Sequence, residues 1–397
     1  MIHRLILFSV LSIDVVILLF QASTLSISSH EVGLLYGDFS FIQYIVNQSL
    51  HIFGTNDVAL RTPMILLHFL SALLLYEISK NYLVDKRNRI WLLVIFILLP
   101  GVLSSALLVD SAGLSIFGLL LFVYIYERFS INHTYLLLLV FSLLDGVFVY
   151  LFISLIVYSL YKKNKLYLIA NIAFLILSLF LYGIKTEGSP EGHLIDTIGL
   201  YAAIFTPVIF IYIFYILYRR FLSKDMNVLW FISSVPLLIS LLLSFRQNIV
   251  IENFAPYLII ALPLSAQTFY AAYRVRLKPF RIKYKIIFAL SALFLSINFI
   301  VVLFNRELYL FIEKPDKHFA RKMHIAKELA SELKIRGVNC ISNKDLMAQR
   351  LMFYGIGNCD TYQLIEQDLD DNEKNNVTIS YKYRPIYKVI VTNINTK

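Results

Sequence analysis

The residues best suited to chemistry sit in a few short polar segments. Residues 25–59 hold His30, Glu31, Asp38, Asn56 and Asp57, with Arg61 just beyond. Asp110 lies between two apolar runs. Residues 185–196 hold Lys185, Glu187, Glu191, His193 and Asp196, and residues 246–253 hold Arg246, Asn248, Glu252 and Asn253. A carboxylate can serve as general base or metal ligand, an imidazole titrates near neutral pH, and a cation can hold a phosphate. Taken singly, each is most simply a solvated loop charge, a lipid-headgroup contact or, for Asp110, a helix N-cap. Their joint pattern is what suggests a site. The sequence has no Gly-rich nucleotide loop, Walker motif or His-rich metal spacing, so neither a nucleotide cofactor nor an ATP-driven pump is expected.

The elements that position these residues follow from composition. Of 397 residues, 58% are hydrophobic and 16% charged, and mean hydropathy is +0.71. A soluble core of this length cannot hide that excess, so the chain reads as a polytopic membrane protein. The net charge of +10 is gathered in short clusters between apolar runs. That is a topology signal, and nucleic-acid binding is not expected.

Apolar runs fall near 5–24, 60–80, 90–108, 112–127, 134–161, 166–184, 200–218, 228–245, 257–273 and 284–304. The first reads as an uncleaved anchor. The run 134–161 is too long for one span and has Asp145-Gly146 at its centre. Two short helices hinged there place about 18 basic residues on one side of the membrane, by the positive-inside count. The other side then carries only Arg61, Lys185 and Arg246 in its loops. This predicts about eleven transmembrane helices, with the N-terminus inside and the C-terminus outside. Asp145 would cap the second short helix, and Asp14, in mid-span, would pair within the bundle.

From Asn305 the composition turns soluble. The domains read as 1–304, transmembrane with loop one (25–59) on the outer face, and 305–397, a small extracytoplasmic α/β domain. Spacing predicts helices over 316–336 and 345–354, and strands over 338–341 and 387–394. The acidic run 368–373 has an Asp-x-Asp pattern, for which a solvated loop is the plainer reading. The only two cysteines, Cys340 and Cys359, fit either a disulfide or two buried thiols.

Several motifs resemble the GT-C superfamily of lipid-sugar-dependent glycosyltransferases. The likeness is to the family-39-like group of protein O-mannosyltransferases and lipid A aminoarabinose transferases. Ser29-His30-Glu31-Val32 follows the first span, where that group has an Asp-Glu pair. Gly54 to Pro63 resembles its Gly-x-x-(apolar)-Ala-x-Arg-x-Pro entry to span two, followed by Leu73 to Tyr76. Leu99-Pro100-Gly101 with Val109-Asp110, Pro256-Tyr257-Leu258 through Pro263, and Phe353-Tyr354-Gly355 extend the likeness along the chain. Two positions depart from the pattern: His30 replaces the family's first loop Asp, and Pro256 replaces its Arg.

The resemblance implies transfer of a sugar from a polyprenyl-phosphate donor to an envelope glycan, lipid or protein on the outer face of the cytoplasmic membrane. Glu31 would be the base, with His30 beside it, and Asp110 would position the acceptor. Arg61, Lys185 and Arg246 would hold the phosphate, and attack opposite the leaving phosphate would invert the anomeric centre. A divalent metal is compatible with His30, Glu31 and Asp110 but not demanded. Two rivals remain at this stage. One is a non-catalytic membrane scaffold that kept the fold, motivated by His30. The other is a transporter of lipid-linked material, weakened by the lack of an inverted repeat.

Overall fold

In a bilayer the backbone must satisfy its own polar groups, and helices do so within one segment. The computed structural model describes residues 2–129, 131–183, 192–312, 315–342, 346–367 and 376–393. Helix α1 (Ile2–Thr24) is followed by α2 (Ser29–Tyr36), α3 (Phe41–Phe53) and α4 (Asp57–Tyr82). Next come α5 (Lys86–Leu98), α6 (Pro100–Leu107), α7 (Ser111–Arg128), α8 (Ile131–Leu144), α9 (Val149–Lys162) and α10 (Lys165–Tyr182). The helical series closes with α11 (Leu194–Phe205), α12 (Pro207–Leu222), α13 (Val228–Leu243), α14 (Ala255–Ile259), α15 (Leu262–Val275) and α16 (Arg281–Leu303). The remainder holds α17 (Ala326–Ile335), β1 (Cys340–Ile341), α18 (Leu346–Phe353), β2 (Gly357–Asn358), β3 (Tyr362–Glu366), β4 (Asn376–Tyr381) and β5 (Arg384–Asn393).

Among the described residues, α1, α4, α7, α10 and the α16 segment are each long and apolar enough to cross a membrane. The bent pairs α5–α6 and α11–α12 pass the same test jointly, and α8, α9 and α13 are shorter apolar helices. The apolar runs 90–108 and 200–218 correspond to these two bent pairs rather than to continuous helices. The first bends by 62° at Leu99-Pro100 and the second by 106° at Thr206-Pro207. Proline removes an amide donor and disfavours helical geometry in the residue before it. Leu99 is accordingly extended, and Thr206 has a φ of 64°. The run 134–161 divides at Asp145 as its charge pattern requires. The Asp145 carboxylate accepts from the Val147 amide at 2.9 Å and caps a short 3-10 turn before α9.

The chain forms two compact units. The first comprises residues 1–16 and 64–299, and the second 17–63 and 300–397. Loop one thus belongs with the tail. In the first unit, α9 packs on α10 and α13, and α7 packs on α14. Its core holds fully buried Phe96, Phe122, Phe148 and Phe152. Phe148 stacks on Phe141 at 4.3 Å, and a Cβ on Gly118 of α7 would stand 2.6 Å from the Phe148 ring. The Asp14 carboxylate meets His68 Nε2 at 2.8 Å, both side chains being buried. His68 also stacks on Phe96. The expected bundle partner for Asp14 therefore exists.

In the second unit, strands order β3-β5-β4, all antiparallel, and β1 pairs with β2 in parallel. Leu329, Leu333, Leu351, Val377 and Val389 form part of its core. The expected helix 316–336 is shortened to α17, preceded by 3-10 turns at 315–317 and 321–323. Local side-chain bonding competes with the helix there. His318 Nδ1 accepts from the Ala320 amide at 3.0 Å, and its Nε2 donates to the Asn305 carbonyl at 2.8 Å. The second expected helix is α18, and the late strand is β5. The expected strand 338–341 is reduced to β1. Cys340 and Cys359 are disulfide-bonded. The acidic run 368–373 lies outside the described residues.

Candidate active site

Loop one is organised around a buried ion pair. Ser28 caps α2, and the Glu31 carboxylate returns to accept from the Ser28 amide at 2.7 Å, completing a capping box. The same oxygen, Oε2, accepts from Arg61 Nη2 at 3.1 Å. Arg61 is 0% and Glu31 1% exposed. The guanidinium also donates to the carbonyls of Leu25 at 2.9 Å, Ser26 at 3.1 Å and Ala22 at 3.3 Å. These carbonyls lie at and just beyond the C-terminal end of α1, where helix carbonyls lack partners in the helix and cations are favoured. Arg61 thus ties the end of α1 to the start of α4 and, through Glu31, to α2.

A second polar layer binds loop one to the tail domain within the same unit. Tyr354 donates its hydroxyl proton to buried Asp57 at 2.5 Å and accepts from the Ile27 amide at 2.8 Å. Burial, and then the neighbouring Asp57 charge, push its phenol well above the ordinary range, so it stays a donor. Lys327 completes the group, its Nζ standing 2.8 Å from Asp57 Oδ2. Buried Arg350 donates to the carbonyls of Ile27 at 2.8 Å and of Lys322. Burial pushes its guanidinium down. Sequence reasoning noted Asp57 and Tyr354 without joining them and missed Arg350. The pair Phe353-Tyr354 was the only signal.

The exposed surface of this segment is different in kind. His30 stands exposed on α2, with Tyr36, Asp38 and Phe39 exposed beyond it. Helix α3 is amphipathic: it buries Ile42, Val46 and Ser49 and exposes Tyr44, Ile52 and Phe53. The structure thus brings Glu31 and Arg61 together in the interior and leaves His30 at the surface. Asp110 and Arg246 belong to the other unit. Asp110 caps α7, accepting from the Ala112 amide at 2.8 Å, and Arg246 is exposed in the turn after α13. Nearby His193 accompanies Asp196 at 3.4 Å. Lys185, Glu187 and Glu191 lie outside the described residues. Among the described residues, no three His, Cys, Asp or Glu side chains gather to hold a metal ion.

No protein-family model and no curated protein sequence matches the chain. Solved structures do. ArnT from Cupriavidus metallidurans in the apo state is 13% identical over 89% of this chain and 74% of its own, with a TM-score of 0.54. ArnT from the same organism bound to undecaprenyl phosphate is 10% identical over 95% of this chain and 96% of its own, with a TM-score of 0.56. At these identities the likeness concerns architecture. The fold is a polytopic helical one with apolar candidate spans and a small C-terminal α/β region. That is the fold of ArnT.

Proposed function

We propose that this chain is a membrane glycosyltransferase of GT-C type, taking a sugar from a polyprenyl-phosphate donor. One observation carries the reading: an ArnT-like fold over 95% of the chain, in a protein whose relative binds undecaprenyl phosphate. The acceptor is an envelope glycan, lipid or protein, on the side opposite the basic loops. The leaving group is already an anion, so the main electrostatic task is to stabilise charge on its phosphate. Arg246, which is exposed, and Lys185 are the cations proposed for that task. Arg61 is committed to holding loop one.

The acceptor hydroxyl needs a base. Glu31 Oε2 is engaged by the Ser28 amide and Arg61, whereas His30, the next residue on α2, is exposed. We therefore assign proton acceptance to His30 and the orientation of α2 to the Glu31–Arg61 pair. A base and a leaving phosphate on opposite ring faces invert the anomeric centre.

The test is mass spectrometry of envelope glycans and polyprenyl-linked sugars. Deletion cells would be complemented with wild type, His30→Gln or empty vector. One sugar should vanish from a glycoconjugate, and its lipid-linked form accumulate, in the empty-vector and His30→Gln cells. His30→Gln matching wild type would remove His30 as the base. Unchanged glycans in the deletion itself would sink the enzyme reading and leave a non-catalytic membrane scaffold.

A further inference from the structure

The first unit contains an apolar groove of about 1130 Å³ between α5, α12, α15 and α16. Its walls carry Trp91, Ile95, Ile209, Phe269, Phe288 and Leu295. Helix α16 meets its neighbours through aromatic rings: Trp91 meets Phe288 at 5.4 Å, and Phe269 meets Tyr284 at 5.8 Å. Leu295 is the one α16 residue that is buried. Close packing is the rule between helices, and a groove this size forfeits dispersion contacts along its lining.

The two ends of the groove differ in charge. Lys86 and Arg87 at the start of α5, and Lys285 in the first turns of α16, line one end. Arg276 and Arg281 are held at that end too, stacked on lining residues Tyr284 and Tyr273 at 5.2 and 5.3 Å. The one carboxylate of the lining, Asp85, accepts from the Tyr270 hydroxyl. The far end, ten residues along α16 at Leu295 and about 15 Å away by helix rise, is apolar. A basic mouth over an apolar slot matches an anionic headgroup with a hydrocarbon chain.

We propose that this groove binds one anionic phospholipid. An acyl chain lies between α16 and the α5–α12–α15 wall, and the headgroup phosphate rests on Lys86, Arg87 and Lys285. The bound chain completes the packing of α16. This site lies wholly within the first unit and does not depend on the transferase reading.

The experiment uses the full chain in mild detergent, with native mass spectrometry and thermal unfolding. The probes are phosphatidylglycerol and phosphatidylcholine with identical acyl chains. Wild type should retain phosphatidylglycerol about tenfold more strongly and unfold at a higher temperature with it, as expected for basic residues near a lipid surface. The triple variant Lys86→Gln, Arg87→Gln, Lys285→Gln should lose the preference, and Lys86→Arg with Lys285→Arg should keep it, showing that charge rather than misfolding decides. Ala292→Trp, which fills the slot, should lose both lipids while staying monodisperse. Equal retention of the two lipids by wild type, undiminished binding by Ala292→Trp, or selective retention of an isoprenoid phosphate would each overturn the proposal.

Discussion

At the scale of single residues, the chemistry of loop one is divided by burial. Glu31 and Arg61 are both sequestered, so each neutralises a charge that water no longer solvates. Removing one partner of such a pair strands the other. Glu31→Gln should therefore destabilise the second unit by about 3–5 kcal/mol, read by hydrogen exchange in residues 25–61. Glu31→Gln combined with Arg61→Met should recover part of that loss. A Glu31 variant that is inactive but fully stable would instead favour Glu31 as the base. His324 gives a prediction of pH dependence. Its ring faces Tyr309 and Asn305, and burial, then His318 and Arg306, push it down to about 3. The folded state then holds fewer protons than the unfolded one between pH 3 and 6.5, so stability is full above that window and falls as pH drops through it. The loss at pH 5 should be about 2 kcal/mol, and His324→Gln should flatten the profile.

At the scale of elements, three breaks decide the path of the helices. Two follow from proline, at Pro100 and Pro207, and one from Asp145 as an N-cap. Asp145→Ala should cost about 1 kcal/mol, the usual value for a lost cap. The approach of α7 to the turn after Asp145 is set by Gly118. Phe148 is fully buried and stacked on Phe141, so its ring has little room to move. Gly118→Ala should cost about 1–3 kcal/mol by overpacking, seen as a lower unfolding temperature of the purified chain. An unchanged value would mean that the ring yields freely.

At the scale of the whole molecule, the polypeptide is divided by burial rather than by order in the chain. Residues 17–63 join residues 300–397, because Arg350, Tyr354, Lys327 and the Met323 carbonyl all bind loop one. The second unit is small and carries the Cys340–Cys359 bond, with a sequence separation of 19. Closing a loop of that length in the unfolded chain stabilises by about 3 kcal/mol. The double variant Cys340→Ser, Cys359→Ser should lose that much in the second unit, while protection in α7 and α9 stays unchanged.

Membrane character and the split at Asp145 were legible from composition, charge spacing and one Asp-Gly hinge. These are local properties, set by what a bilayer tolerates over about 20 residues. The Asp14–His68 pair was half legible, since an acid at membrane depth demands a partner but does not name it. The bends at Leu99 and Thr206 were signalled by proline and hidden by unbroken hydropathy, which counts apolarity and ignores backbone hydrogen bonds. Strands β3 and β4 went unread because their short segments pair with β5 rather than showing strong periodicity. The site depended most on tertiary structure. His30 and Glu31 are adjacent in sequence and similar in chemical promise, but one turn of helix exposes the first and buries the second against Arg61, thirty residues away. Whether an ionisable group meets water or another charge is decided by non-local packing, and no local pattern of residues encodes it.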